Sequence, residues 1–315
     1  CPLPRWLGFP VGVSPWGLAR PGFAILRIGA GFCGAFPTLS IVATQGPISV
    51  RFYDAASATS LTFPIGFYID RLSAVMMVLI SGVGTVIYAY SIDYMYQDPH
   101  EPRYLTLIGL ALFVLLCMVS SANLMMLFLF WQLLSYLLYL LAHNHTHPGT
   151  LEGAFKTFTL LRIGDVAFLA GIVLAYSLYG TLDFPALFAK AAESAVMLSP
   201  LPGLEISGAT AVTLLLFIGG MSKSAQFPLH IWLPHYLYAP TPATALLHAG
   251  IINAGGFLIN RLAPLFGLSS PTLHVAFVVG TLTAVVGATM MLTQNDIKKT
   301  LGYSTVGQMG YMIME

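Results

Sequence analysis

Gly220-Met221-Ser222-Lys223-Ser224-Ala225-Gln226-Phe227-Pro228-Leu229-His230-Ile231-Trp232-Leu233-Pro234 sets one lysine in an apolar stretch and follows it with two prolines. Lys223 is the single formal charge between Glu205 and Arg261. A lysine at mid-bilayer costs on the order of 3 kcal/mol on insertion scales, and membrane proteins keep such residues for ion pathways and relays. Proline removes a backbone donor and breaks a helix. Broken helices at bilayer depth build ion sites in transporters, because freed carbonyls and helix ends face the ion. The stretch therefore predicts a spanning helix interrupted beside a functional charge. The alternative is that Lys223 stands near a helix end and reaches the interface along its apolar stem.

The rest of the chain has the composition of a membrane protein. Its 315 residues are 57% hydrophobic and 8% charged, with a mean hydropathy of +0.80, whereas soluble domains carry about 25% charged residues. A net charge of +1 argues against a nucleic-acid partner, which needs clustered Lys and Arg. Apolar runs recur near 23–44, 72–92, 104–121, 122–142, 154–179, 207–228, 240–262, 272–293 and 296–314. A helix needs roughly 20 such residues to cross the hydrocarbon core, so the pattern predicts an all-α polytopic protein of about nine spans. The run from Tyr104 to Ala142 has no charge and is too long for one span, so Ser120-Ser121-Ala122-Asn123 is the expected turn. Segment 46–71, with Arg51, Asp54, Asp70 and Arg71 around short alternating patches, reads as a small extramembrane hairpin. The stretch 180–206 holds Asp183, Lys190, Glu193, Glu205, Pro200 and Pro202 and reads as a solvent-exposed linker. Cys1, Cys33 and Cys117 form no CxxC pattern, and the last two read as packing residues. A start at Cys1 and a stop at Glu315 inside an apolar helical pattern read as a fragment.

Other polar groups lie where charge is expensive. Arg162 and Asp165 are spaced i, i+3 and share a helix face. They form either a neutralised structural pair or a carboxylate that partners Lys223. His248, in an apolar run that follows the Lys223 helix, is either a hydrogen-bonded core residue or a station that hands on a proton near neutral pH. His143-Asn144-His145-Thr146-His147 has no nearby acid or cysteine and reads as an interfacial cap rather than a zinc site. Of Lys298 and Lys299, which open the last run behind Asp296, at most one can face a channel, leaving the other for the interface. Gly255-Gly256 predicts close helix packing.

These motifs, in their order and spacing, closely resemble the antiporter-like proton-pumping subunits of respiratory complex I and the Mrp cation antiporters over about residues 70–315. The resemblance is carried by segment 220–234, by Pro240-Thr241-Pro242 followed by Ala245-Leu246-Leu247-His248-Ala249, by Arg162-Ile163-Gly164-Asp165, and by Asp296-Ile297-Lys298-Lys299-Thr300-Leu301-Gly302-Tyr303-Ser304-Thr305. Within that superfamily, 248–261 and 304–312 look like the membrane-subunit family of the DAB inorganic-carbon accumulation complexes.

The resemblance implies a helical bundle with inverted repeats and broken helices. It divides the chain into 1–103 (N-terminal helices and hairpin), 104–262 (first repeat) and 263–315 (start of the second). It implies that Lys223 is the broken-helix lysine, His248 the next helix's histidine, Asp165 and Arg162 the acid and base of the Arg-x-Gly-Asp motif, and Lys298 or Lys299 the basic residue of the later helix. The chain would be an ion-conducting subunit in a bacterial cytoplasmic membrane, surrounded by lipid, with no cofactor and no enzymatic activity of its own. Its partner would be a large zinc-binding β-carbonic-anhydrase-like subunit of the DabA type, which ion flow drives to hydrate CO₂ one way. The alternative is a pump subunit of a complex I-type oxidoreductase or an Mrp-type antiporter. One position departs from the complex I pattern: Gln132, in Phe130-Trp131-Gln132, stands where those subunits carry a glutamate that modulates the lysine.

Overall fold

A computed structural model of the chain describes residues 15–55, 63–96, 98–142, 150–193, 196–201, 204–236 and 239–315. Cys1 and the His143–His147 tract lie outside the described residues. Helix α1 (Pro15–Gln45) leads into an antiparallel hairpin of β1 (Ile48–Ala55) and β2 (Phe63–Ile69). Helices α2 (Arg71–Tyr94), α3 (Glu101–Val119), α4 (Leu124–Ala142) and α5 (Thr150–Tyr179) then run up and down the bundle. A short helix α6 (Phe184–Glu193) and a second hairpin, β3 (Met197–Leu201) with β4 (Leu204–Ser207), lead into α7 (Gly208–Lys223). After a break come a 3₁₀ turn at Leu229–Ile231 and α8 (Trp232–Tyr236). Helices α9 (Thr241–Leu246) and α10 (Asn253–Arg261) are fused by a π turn at Leu247–Ile251, and α11 (Ala263–Phe266), α12 (Ser270–Leu292) and α13 (Ile297–Met314) complete the chain.

All nine apolar runs fall on helices, but seven helices among the described residues are long and apolar enough to cross a membrane. They are the Ile28–Gln45 part of α1, α2, α3, α4, α5, the fused Thr241–Arg261 helix and α12. The expected span at 207–228 is instead a 16-residue helix that stops at Lys223, and the expected span at 296–314 is diluted by Lys298, Lys299 and several hydroxyl and amide side chains. The hairpin expected in 46–71 and the turn after α3 are present. The stretch 180–206 is not a solvated linker. It is ordered as α6 and a hairpin, because Phe184 and Leu187 are fully buried against the bundle. Cys117 is buried as expected, whereas Cys33 lies exposed on α1.

Many large apolar side chains lie on the outside of the bundle. Val86, Phe113, Phe155, Val166 and Val173 are all exposed, which suits a lipid solvent. In lipid, helices gain little by hiding apolar surface and associate through close packing of small residues. A Cβ at Gly164 on α5 would meet Ser222 Oγ at 2.6 Å, one at Gly219 on α7 would meet Phe168 Cβ at 2.7 Å, and one at Gly171 would meet Leu216 at 2.8 Å. The expected packing at Gly255-Gly256 is found: Gly255 abuts the Gly220 carbonyl, and a Cβ at Gly256 would meet Met312 Sδ at 2.7 Å. Helices α12 and α13 approach in the same way through Gly280, Gly287, Gly307 and Gly310.

One buried ion pair ties the N-terminal part of the chain to the bundle. Arg261, at the end of α10, has a side chain 2% exposed and reaches Asp70 Oδ2 at 2.8 Å. Its other terminal nitrogen donates to the Val119 carbonyl at 2.9 Å and to Ser73 Oγ. Asp70 also caps α2, its Oδ1 accepting from the Ser73 N–H at 2.8 Å. The chemistry is asymmetric. Loss of Asp70 strands a buried guanidinium and uncaps α2, whereas loss of Arg261 leaves a half-buried carboxylate with its cap intact. Breaking a buried pair costs about 3–5 kcal/mol and losing a cap about 1 kcal/mol. Asp70→Ala should therefore lower the apparent melting temperature in detergent by more than Arg261→Met; the reverse order would contradict this account of the pair.

Candidate functional site

The site begins where α7 stops. Pro228 cannot accommodate a helical turn over the Ser224 carbonyl, and it disfavours helix at Phe227. The chain leaves the helix still earlier, directly after Lys223. The Gln226 N–H donates to the Met221 carbonyl at 2.9 Å and the Ala225 N–H to the Ser222 carbonyl at 3.4 Å. Ala225 has φ +50°. This is a Schellman cap with alanine where glycine is usual. The exposed ends of the break are then taken up one by one. The Ser224 carbonyl accepts from Gln226 Nε2 at 3.1 Å, Trp232 Nε1 donates to the Ser222 carbonyl at 2.9 Å, and the Phe227 N–H donates to Thr283 Oγ1 on α12 at 3.0 Å. Ser224 Oγ donates to the Ile252 carbonyl, beside the π turn, at 2.8 Å.

Lys223 is 1% exposed, so its ammonium ends inside the bundle rather than at an interface. It donates to the Trp131 carbonyl at 3.2 Å and to Ser135 Oγ, and it lies 4.9 Å from the centroid of the Trp131 ring. None of the four ion pairs among the described residues includes Lys223. Asp165, on α5, is 5% exposed. Its Oδ1 accepts from Trp131 Nε1 at 2.8 Å, and its Oδ2 lies 3.3 Å from Arg162. Arg162 also donates to Gln132 Oε1 and stacks over Phe158, 4.3 Å from the ring centroid.

Four of the residues singled out from the sequence, Lys223, Asp165, Arg162 and Gln132, thus converge. The i, i+3 pairing of Arg162 with Asp165 is present. A direct Asp165–Lys223 ion pair is not: Trp131 stands between them, offering its ring and carbonyl to the lysine and its N–H to the acid. Gly164 makes the arrangement possible, because its missing side chain lets α5 approach α7 at Ser222. Trp131 and Ser135 are the participants that the sequence reading passed over. Their i, i+4 spacing on α4, on either side of the noted Gln132, was the available signal. An ammonium held by a carbonyl and a hydroxyl can release its proton without separating an ion pair, and that is the chemistry the arrangement allows.

His248, Lys298 and Lys299 stand outside this cluster. His248 lies within the π turn, with both ring nitrogens buried and without a hydrogen-bond partner in the structure. Single π turns are frequent at functional sites. Asp296 caps α13 through the N–H groups of Lys298 and Lys299, at 2.8 and 3.2 Å. The Lys298 ammonium points inward to the Ala239 carbonyl at 3.4 Å, just past the end of the broken helix.

Comparison with known proteins places the chain in a family. Residues 121–315 match the model of the NADH:quinone oxidoreductase/Mrp antiporter transmembrane family, and 56–105 match the N-terminal model of complex I chain 5. The chain is 45% identical over 252 residues to "Probable inorganic carbon transporter subunit DabB1" of Halothiobacillus neapolitanus, covering 79% of this chain and 44% of that protein. It is 38% identical to NADH-quinone oxidoreductase subunit L of Neisseria meningitidis, covering 80% of this chain and 38% of that one. It therefore spans less than half the length of these relatives. A solved chain of the membrane-bound sulfane sulfur reductase, an archaeal respiratory membrane complex, shares the fold with a TM-score of 0.79 at 23% identity, over 93% of this chain and 58% of that chain. The chain is a multi-pass membrane protein and belongs to the NADH:quinone oxidoreductase/Mrp antiporter family.

Proposed function

We propose that this chain is the ion-conducting part of an inorganic-carbon uptake complex and passes H⁺ or Na⁺ along a path centred on Lys223. The observation that carries the reading is a lysine 1% exposed and held by neutral acceptors alone. Buried ionisable groups in membrane segments mark ion pathways and proton relays. In this reading Lys223 gains and loses the proton, Asp165 sets the field in which it does so, and Arg162 and Gln132 hold Asp165. His248 would be the next station and Lys298 the following one, with Lys299 left for the interface. Residues 104–262 would form the first antiporter-like repeat and 263–315 the start of the second, with 1–103 ahead of them.

The carbon assignment is supported by the 45% identity to the DabB1 relative and by the resemblance of 248–261 to that family. The partner would be a large zinc-binding β-carbonic-anhydrase-like subunit in a bacterial inner membrane, with the zinc in the partner. A second reading, a pump subunit of a complex I-type oxidoreductase or an Mrp-type antiporter, draws on the 38% identity to subunit L. Gln132 weighs against its complex I form, because glutamine cannot supply the charge that the usual glutamate brings to the lysine.

Expression of the full-length subunit with its zinc partner in a carbonic-anhydrase-deficient host should restore growth in air and load cells with labelled inorganic carbon. Folded subunits that give no rescue would sink the carbon reading, and co-purifying flavin and iron–sulfur subunits would favour the second. Lys223→Ala should abolish uptake while the complex still assembles, and Asp165→Asn should do nearly the same; uptake retained in both would refute the relay.

Stability should move the other way for an apolar isostere. Ser135 Oγ already donates to the Trp131 carbonyl at 3.1 Å, so removing the ammonium leaves neither group stranded. Taking an ammonium out of water costs on the order of several kcal/mol, and methionine, of similar length, carries no such cost. Lys223→Met should therefore melt no lower than the parent protein while losing uptake. A clear drop in melting temperature would mean that Lys223 is structural.

A further inference from the structure

Trp131 touches both Asp165 and Lys223. Its Nε1–H holds Asp165 Oδ1 at 2.8 Å, and its carbonyl holds the Lys223 ammonium at 3.2 Å. The indole is 1% exposed and packed edge-on against Phe168, with centroids 5.2 Å apart and planes at 86°. Phe168 is pressed in turn by Phe128. The packing holds the ring in an orientation in which its N–H reaches Asp165 while its face stays against Lys223. An indole N–H is a donor only and cannot accept a proton, so Trp131 cannot be a relay station. What it can do is hold apart two opposite charges that would otherwise pair in a water-poor interior.

We propose that Trp131 is a positioning residue that keeps Asp165 from capturing Lys223. Resting on the reading of Lys223 as the ion-exchanging group, this makes the separation of acid and lysine part of the mechanism. Asp165 then acts through space, and Lys223 stays free to release its proton. In direct contact the carboxylate would favour the protonated lysine strongly and would trap it. Asp165 and Arg162, both from α5, are charged side chains joined to Lys223 through Trp131. The other elements packed against α7 carry His230 in the 3₁₀ turn, Arg261 on α10, His274 on α12 and Glu205 on β4, and α5 carries Glu152 and Lys156 near its start. All of these are unchanged by a substitution at 131, so a comparison of variants isolates the indole.

The test is Trp131→Phe in the full-length subunit with its partners. Phenylalanine keeps a single aromatic ring and the backbone carbonyl and removes the N–H. A cryo-EM structure of the variant should show the Asp165 carboxylate turned to Lys223 within ion-pair distance. The pH profile of uptake should move to higher pH by on the order of one unit, as a new opposite charge in contact requires. Asp165 left in place with Lys223 unpaired, or an unchanged profile with merely less assembled complex, would overturn the proposal. If the variant does not accumulate, benzothienylalanine at 131, which keeps the bicyclic ring and replaces N–H by sulfur, answers the same question with the same outcomes. Persistent uptake in Lys223→Ala would instead refute the parent reading, while the Asp165–Lys223 spacing in the Trp131 variant still decides this one.

Discussion

In lipid every backbone donor and acceptor must find its partner inside the protein, and a helix cut in mid-bundle leaves several without one. The structure around Lys223 is organised by that constraint. The cut at α7 is closed locally by the Schellman cap at Ala225 and Gln226. Its remaining groups are closed by side chains from elsewhere: Trp232 on the Ser222 carbonyl, Thr283 on the Phe227 N–H and Ser224 on the Ile252 carbonyl. The break is therefore a junction at which α7, α8, α10 and α12 are held in register. A left-handed alanine costs about 1–2 kcal/mol relative to the usual right-handed conformation. Here the strain sits two residues after the end of the helix that carries the buried lysine, a place where strain commonly accompanies function.

The electrostatics follow from the same junction. Arg162 and Asp165 neutralise each other, and Gln132 adds a hydrogen bond without adding charge. The cluster is left with one net charge, that of Lys223. A glutamate at 132 would compete with Asp165 for Arg162 and change that balance. With glutamine there, the charged side chains gathered beside the lysine are Asp165 and Arg162, and Trp131 sets how closely the acid approaches. The glycines at 164 and 219 permit all of this, since any side chain at 164 would push α5 off Ser222 and carry Asp165 away with it.

Much of the helical frame was legible from apolar runs alone. The turn at Ser120–Asn123 and the hairpin after α1 were legible as well, because polar breaks in a long apolar run have few other readings. The stretch 180–206 was misread because its charges are frequent. Only packing reveals that Phe184 and Leu187 are buried, that Lys190 reaches the Tyr179 carbonyl at 3.0 Å and that Asp183 meets Arg51 at 3.2 Å. The Arg261–Asp70 pair was invisible for a related reason. Its members are 191 positions apart (261 − 70), and no local pattern links them.

By itself the sequence determined that the chain lies in a membrane, that a helix is interrupted beside Lys223 and that Arg162 and Asp165 share a face. Each of these follows from local composition: apolar length, proline chemistry and the helical repeat. The tertiary structure decided what Lys223 touches. Of the two readings the sequence left open for Asp165, the structure shows the pair with Arg162, and the ammonium meets a carbonyl, a hydroxyl and an indole face. The reason is geometric: the close approach of α5 to α7 over Gly164, and the fixed plane of Trp131 against Phe168, depend on how three helices pack, and no spacing along one helix encodes that.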